Sequence, residues 1–273
     1  MGRQISGDIA HEMGMIPLSA GVNKYVGPSS GFSIAKLVLD RADRAGNRYN
    51  PGGTSQSDET TAETRCRSMF VIGPSALPES KEQAVQLSLI YFEQVHPRYP
   101  FLHQHSHFRA LEKLYDGDTP AVSKAVKFQV MMVLAISAII LSRRLRIPFS
   151  GEGLCAAAME YTDEIDFQSS TEGVQCLLLI SMLTLHSRFL GINPWYLNYQ
   201  CLAAVLDLGL QQDLATGQPV DAFEREMRTR VFWVVFSMDR IIATTLGRPV
   251  GLRDEACDLR VGITEKSPTF PSP

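Results

Sequence analysis

The sequence predicts an all-α protein, an irregular antiparallel helical bundle preceded by a flexible arm. Three observations point there. From Glu79 onward, apolar residues recur every three to four positions, the helical period. No stretch shows strand alternation or a hairpin signal of comparable strength. Glycine, serine, proline and threonine dominate the chain before residue 79, as in Gly27-Pro28-Ser29-Ser30-Gly31 and Asn50-Pro51-Gly52-Gly53-Thr54-Ser55. Such segments cannot repay the entropy of being ordered, so residues 1–78 read as a flexible arm. Within it, Phe32, Ile34, Leu37 and Val38 suit a short segment that docks on the body.

The elements follow in order. Lys81 to Val95 sets Val85, Leu89 and Phe92 on one stripe, and Pro97 ends it. Helical stretches follow at Ser106 to Tyr115, Ala121 to Arg144 and Gly151 to Phe167, the last with Leu154, Ala158, Tyr161 and Ile165 on one face. Ser169 and Glu172 have capping-box spacing ahead of Val174 to Leu190, whose middle is apolar all round and therefore central. Asn193 and Pro194 suit the N-cap and first turn of a helix that Gly209 terminates. In the last helix, Asp221 and Glu224 are placed to satisfy the first amides. Phe223, Met227, Val231, Val234, Val235, Met238 and Ile242 trace its stripe, and Gly247-Arg248-Pro249 stops it. Residues 79–262 form the helical domain, and 263–273 read as a disordered tail.

Composition narrows the functions. A chain of 273 residues with 45% hydrophobic and 20% charged residues can bury a full core without staples. Its net charge of -3 provides no basic excess with which to neutralise phosphates, so tight DNA binding by this chain is not expected. Cys66, Cys155, Cys176, Cys201 and Cys257 are scattered without Cys-x-x-Cys spacing, as reduced thiols in a reducing compartment would be. Residues 1–20 do not read as a signal peptide, and the apolar block Val130 to Leu141 is shorter than the ~20 residues a spanning helix needs. A soluble intracellular protein is expected, with no membrane partner.

Few constellations suggest chemistry. His103, His105 and His107 alternate as metal ligands on a strand would, but no acidic ligand or cysteine is near, and a loop of solvated imidazoles accounts for them as well. Asp239 and Arg240 lie deep in an apolar helix, where unpaired charges are costly. Adjacent helix positions do not face each other, so each needs a partner elsewhere. Asp163, Glu164, Asp166, Arg248, Asp254 and Asp258 offer themselves, in a structural ion pair or a catalytic acid/base. Arg143, Arg144 and Arg146 form a basic run that suits a solvated helix end, or a nucleic-acid or import contact. Trp195-Tyr196 and Trp233 with Phe236 are core aromatics or the walls of a ligand pocket. No phosphate-binding loop, nucleophile elbow or His-Glu-x-x-His occurs, so no catalytic, cofactor or metal residue is assigned.

Three segments together resemble the fungal-specific transcription factor domain, the middle homology region of zinc-cluster regulators. The first runs from Tyr91-Phe92 through Val95-His96-Pro97 to Pro100-Phe101-Leu102-His103. The second joins Asn193-Pro194-Trp195 to Ala203-Ala204 and Asp207-Leu208-Gly209-Leu210. The third combines Arg230-Val231-Phe232-Trp233, Met238-Asp239-Arg240 and Leu246-Gly247-Arg248-Pro249, followed by Asp254 and Asp258. Tyr25-Val26-Gly27-Pro28-Ser29-Ser30-Gly31 is similar to a stretch often found upstream.

The resemblance makes His96, Pro97, Pro100, Phe101, Trp233, Asp239, Arg240, Gly247, Arg248 and Pro249 signature positions of architectural role, with Arg248 reaching the acidic loop. It implies transcription regulation in the nucleus, not an enzyme, with a dimer partner or co-regulator and a small-molecule effector. The family holds zinc and binds DNA through an N-terminal six-cysteine cluster; this sequence carries no such cluster, so no cofactor is assigned to it. Family members commonly continue with further helices, so a C-terminally truncated domain is implied. The competing expectation is an all-helical enzyme or small-molecule-binding protein with a pocket between the Trp195 and Trp233 helices.

Overall fold

The computed structural model describes residues 15–19, 22–25, 73–117, 121–146, 151–187, 191–213, 221–257 and 259. The Phe32 to Val38 segment, Cys66, Asp258 and the 263–273 tail lie outside them. Among the described residues seven α-helices form the body: α1 Lys81–Gln94, α2 Gln104–Tyr115, α3 Lys124–Leu145, α4 Gly151–Met159, α5 Thr171–His186, α6 Pro194–Asp207 and α7 Ala222–Leu246. Short 3-10 turns occupy Thr162–Glu164 and Asp254–Ala256. The all-α expectation holds for this body.

Inside the stretch read as an arm, a small antiparallel hairpin joins β1 Met15–Ser19 to β2 Val22–Tyr25. Met15 faces Tyr25, Ile16 faces Lys24 and Pro17 faces Asn23, with an irregularity before Ser19 meets Val22. Strands of four and five residues interrupted by a proline leave almost no alternation to read, which is why the sequence does not announce them.

Two helices make the centre. α3 packs against α1, α2, α4 and α5, while α6 lies on α5 and α7. Every residue of α3 from Val130 to Ile139 is buried, as is every residue of α5 from Val174 to Leu183 except Gln175. Full burial of each large apolar side chain contributes about 1.5–3 kcal/mol, so this all-round apolar pair dominates the stabilisation. At 22 residues, with a mean hydropathy of 2.0 over its most apolar 18, α3 is long and apolar enough to cross a membrane, although its apolar block alone reads as too short. The structure uses that apolarity inside the bundle, where Phe128, Met132, Leu134 and Ile136 are fully enclosed.

Local signals are used with small shifts. Asn193 accepts the Trp195 N–H at 3.0 Å with Pro194 at the first helical position, as expected. The cap of α5 falls one residue later than the capping-box spacing suggests: Ser170 Oγ accepts the Gly173 N–H at 3.0 Å. Ser169 is instead drawn into a turn by Asp166, whose carboxylate accepts its N–H and that of Gln168. Asp221 stands at the N-cap of α7 without a side-chain cap bond. In α1 the core stripe is rotated, with Ala84, Ser88, Tyr91 and Phe92 buried and Val85 and Leu89 only half-buried.

Candidate functional site

Five of the signature residues, Asp239, Arg240, Gly247, Arg248 and Pro249, gather where α7 ends. Its stripe of Met227, Val231, Val234, Val235, Met238 and Ile242 is buried, with Phe223 alone exposed at the start. That stripe carries Asp239 inward to zero exposure. A buried carboxylate must find donors, and the chain folds back to supply them. Gly247 adopts φ +62°, a left-handed conformation that glycine adopts without steric cost. Its N–H donates to Thr244 O at 3.3 Å, and the Arg248 N–H donates to Ala243 O at 2.9 Å, which closes the helix in a Schellman-type cap. Pro249 then prevents any return to helix.

The returning loop reaches Asp239 twelve residues on. The Gly251 N–H donates to both carboxylate oxygens, at 3.1 and 2.9 Å, and the Leu252 N–H approaches Oδ2 at 3.4 Å. From α6, Asn198 Nδ2 donates to Oδ1 at 3.0 Å. Arg240 Nη1 donates to Oδ2 at 2.9 Å, so the adjacent residues do pair, contrary to the helix-spacing argument. The long arginine stem bends back over the Phe236 ring, with its guanidinium carbon 3.6 Å from the centroid. Its other amine bonds Leu252 O at 2.6 Å and the Asp254 carboxylate. The acidic loop is therefore held by Arg240, while Arg248 packs its guanidinium over Trp195 at 4.8 Å.

Gly251 and Asn198 are the members that motif reading misses. A Cβ on Gly251 would come within 2.5 Å of Leu202 Cδ1 and 3.2 Å of Asp239 Oδ1, so only glycine passes this close. Its sole sequence signal is a glycine two residues after Pro249. Asn198 is a polar residue on the buried face of an otherwise apolar helix, a visible signal.

Four other signature positions, His96, Pro97, Pro100 and Phe101, hold the α1–α2 corner. His96 Nε2 lies 2.7 Å from Leu102 O; a carbonyl can only accept, so Nε2 carries the proton. Burial, then the Arg230 and His103 charges, push its pKa down. Pro97 and Pro100 keep this corner from becoming helix, and Phe101 is fully buried, with its carbonyl taken by Gln175 Nε2 at 2.7 Å. Trp233 packs against Phe232 and Phe236, and its Nε1 has no partner among the described residues.

The three histidines are put to three uses. His103 Nδ1 caps α2 by accepting the Ser106 N–H at 3.3 Å, and His105 is exposed. His107 is buried 2.9 Å from Ser88 Oγ. Ser88 already gives its hydroxyl proton to Ala84 O, so His107 Nε2–H is the donor to Ser88. Burial pushes the His107 pKa down to about 4. The reading of all three as solvated loop imidazoles is corrected here: two lie on α2, where spacing separates them.

No group of three or more metal-ligating side chains converges among the described residues. Cys155, Cys176 and Cys201 are buried on different helices, and burial pushes each thiol up to about 12. Thiols held protonated and apart are not a zinc-cluster donor set, so the described residues do not fit that metal. A half-open cleft of about 530 Å3 lies among the first turns of α2, α3, α5 and α7, lined by Leu102, Val126, Glu172, Phe223, Met227 and Arg228 among others. Neither Trp195 nor Trp233, the expected pocket walls, borders this cleft at the helix starts.

The fungal specific transcription factor domain matches residues 89–265. The chain is 25% identical over 195 residues to the negative regulator of pleiotropic drug resistance STB5 of Candida glabrata, covering 66% of this chain and 19% of that protein. It is 28% identical over 177 residues to protein STB5 of Saccharomyces cerevisiae, covering 60% and 23%. Over 91% of its length it is 21% identical to the positive regulator of purine utilization of Emericella nidulans, covering 30% of that protein. The chain thus spans a third or less of these relatives, and no solved structure matches it. With well over half its length matched by the domain, the chain belongs to the fungal specific transcription factor domain family.

Proposed function

We propose that the chain is the regulatory helical module of a nuclear transcription regulator and performs no chemistry of its own. One observation carries this. The acid and base that the sequence offers as reactive, Asp239 and Arg240, are spent on backbone amides, a carbonyl and each other, with the carboxylate at zero exposure. A general acid or base must reach a substrate proton. This pair holds the exit of α7 against α6.

DNA and zinc binding belong, in this reading, to a cysteine cluster elsewhere in the complete protein, and a dimer partner or co-regulator, with a small-molecule effector, would set its output. The curated relatives named as regulators, together with the domain match, support the reading. The test is a fusion of the chain to an unrelated DNA-binding domain in a fungal host. Reporter output changed severalfold in either direction, and abolished by Asp239→Ala, is expected. An inert fusion, or a full-length protein excluded from nuclei, would overturn the proposal.

A further inference from the structure

The C-terminal ends of α1, α3 and α5 come together at one place on the bundle. Gln94 and Val95, Ile140, Arg143 and Arg144, and His186 line a shallow groove of about 350 Å3. Val95 is buried in its floor and Ile140 is half-buried. Arg143 and Arg144 are exposed on its rim, followed by Arg146, where the backbone turns out of the helix at φ +56°. None of the three guanidinium groups has a carboxylate partner among the described residues. The negative end of a helix dipole favours cations here, but amounts to about half a charge and leaves the N–H donors free. Outside the groove's lining, at the same helix ends, two leucines stand in solvent: Leu145, next in the chain to Arg144, at 52% and Leu185, next to His186, at 43% exposure.

Exposed leucines next to unpaired arginines are the complement of a specific kind of surface. We propose that this groove binds an acidic peptide segment with interspersed apolar side chains. Its carboxylates would meet Arg143, Arg144 and Arg146, and its apolar groups Ile140, Leu145 and Leu185. Guanidinium forks bind carboxylates in paired hydrogen bonds, and an amphipathic helix lays its apolar face into a groove of this type. A nucleic acid would use the arginines alone, leave the leucines wet, and face a chain of net charge -3. The inference stands on this surface and does not depend on the regulatory reading.

The experiment is fluorescence anisotropy with the full chain and a labelled synthetic peptide of roughly 15 residues that alternates Asp/Glu with Leu/Phe. Controls are the same peptide with serine for Leu/Phe, and a labelled DNA duplex. Salt-sensitive binding is expected, weakened about tenfold or more by Arg143→Glu with Arg144→Glu, whose loss of charge-assisted bonds is the larger effect. Leu145→Ser with Leu185→Ser should weaken it severalfold. All four positions are half-buried or exposed at helix ends, and a melting curve confirms that each variant is folded. Absence of binding, binding unchanged in both double variants, a serine peptide bound equally well, or a duplex bound as tightly would each overturn the proposal.

Discussion

Asp239 and Gly251 are joined by a forked hydrogen bond in which one backbone N–H donates to both oxygens of a fully buried carboxylate, at 3.1 and 2.9 Å. That contact is possible because residue 251 has no side chain. It ties the loop after α7 to the last third of the same helix, and Asn198 extends the tie to α6. Three elements meet on one carboxylate, so the effect of cutting it can be stated.

Asp239→Ala should cost about 3–5 kcal/mol, because it strands the Arg240 charge and leaves the Gly251 and Asn198 donors without their acceptor. Urea unfolding gives the number. A loss under about 1 kcal/mol would mean water replaces the carboxylate easily and the latch is not a structural element. Asp239→Asn should fall between, since an amide oxygen can accept from one donor while its NH2 opposes another.

Gly251→Ala tests the close approach separately. The added methyl would meet Leu202 Cδ1 at 2.5 Å, so the side chain or the loop must move, at about 1–3 kcal/mol. Gly247→Ala should cost about 1 kcal/mol for its left-handed backbone, without touching the carboxylate. Because the added methyl would also crowd Asp239 Oδ1 at 3.2 Å, the part of its cost that comes from the carboxylate should disappear in the Asp239→Ala background, whereas that of Gly247→Ala should add in full. Equal additivity of both would remove the link between Gly251 and the carboxylate.

How much of this was legible before any coordinates follows from the range of each signal. The Asn193-Pro194 start and Gly247 stop are local, resting on adjacent φ/ψ and single amides, and the structure keeps them. The α7 stripe is legible for the same reason, because 3.6-residue periodicity is itself local. The burial of Asp239 follows from the stripe, and Asp254, which holds Arg240, is among the counter-charges the sequence offers, but Asn198 and the Gly251 and Leu252 backbone are not. These partners come from residues 198, 251 and 252, and no spacing rule reaches across that distance. The histidine run misleads because alternation carries meaning only on a strand, and α2 begins inside it.

His107 gives a pH dependence with a defined direction. Its pKa is pushed down to about 4 by burial, against an ordinary 6.5. Between those values the unfolded chain binds a proton that the folded chain refuses, so stability falls as pH drops from about 6.5 towards 4 and levels off below. Roughly 3 kcal/mol is at stake across that window. His96, His103 and His186 are pushed the same way, also mainly by burial. Unfolding free energies at the two ends of the window, compared between wild type and His107→Gln, check the assignment. The variant should lose most of the slope, and an unchanged slope would place its origin in the other three.

The last prediction runs opposite to the usual effect of a core substitution. Tyr91 is fully buried in α1, edge-on to Phe92, and its hydroxyl has no hydrogen-bond partner among the described residues. Burial pushes the phenol above its ordinary range, as expected for a hydroxyl whose anion nothing stabilises. An unsatisfied buried hydroxyl carries a desolvation penalty of about 1–3 kcal/mol, and phenylalanine keeps the ring while removing it. Tyr91→Phe should therefore be neutral or raise the unfolding free energy, despite tyrosine's place at the head of the first signature segment. Tyr91→Leu, which also loses the ring and its edge contact, should destabilise by a few kcal/mol and show that the position is sensitive. A clear loss of stability in Tyr91→Phe would mean that the hydroxyl is bonded in solution, and that the α1–α3 packing here is polar where the structure makes it dry.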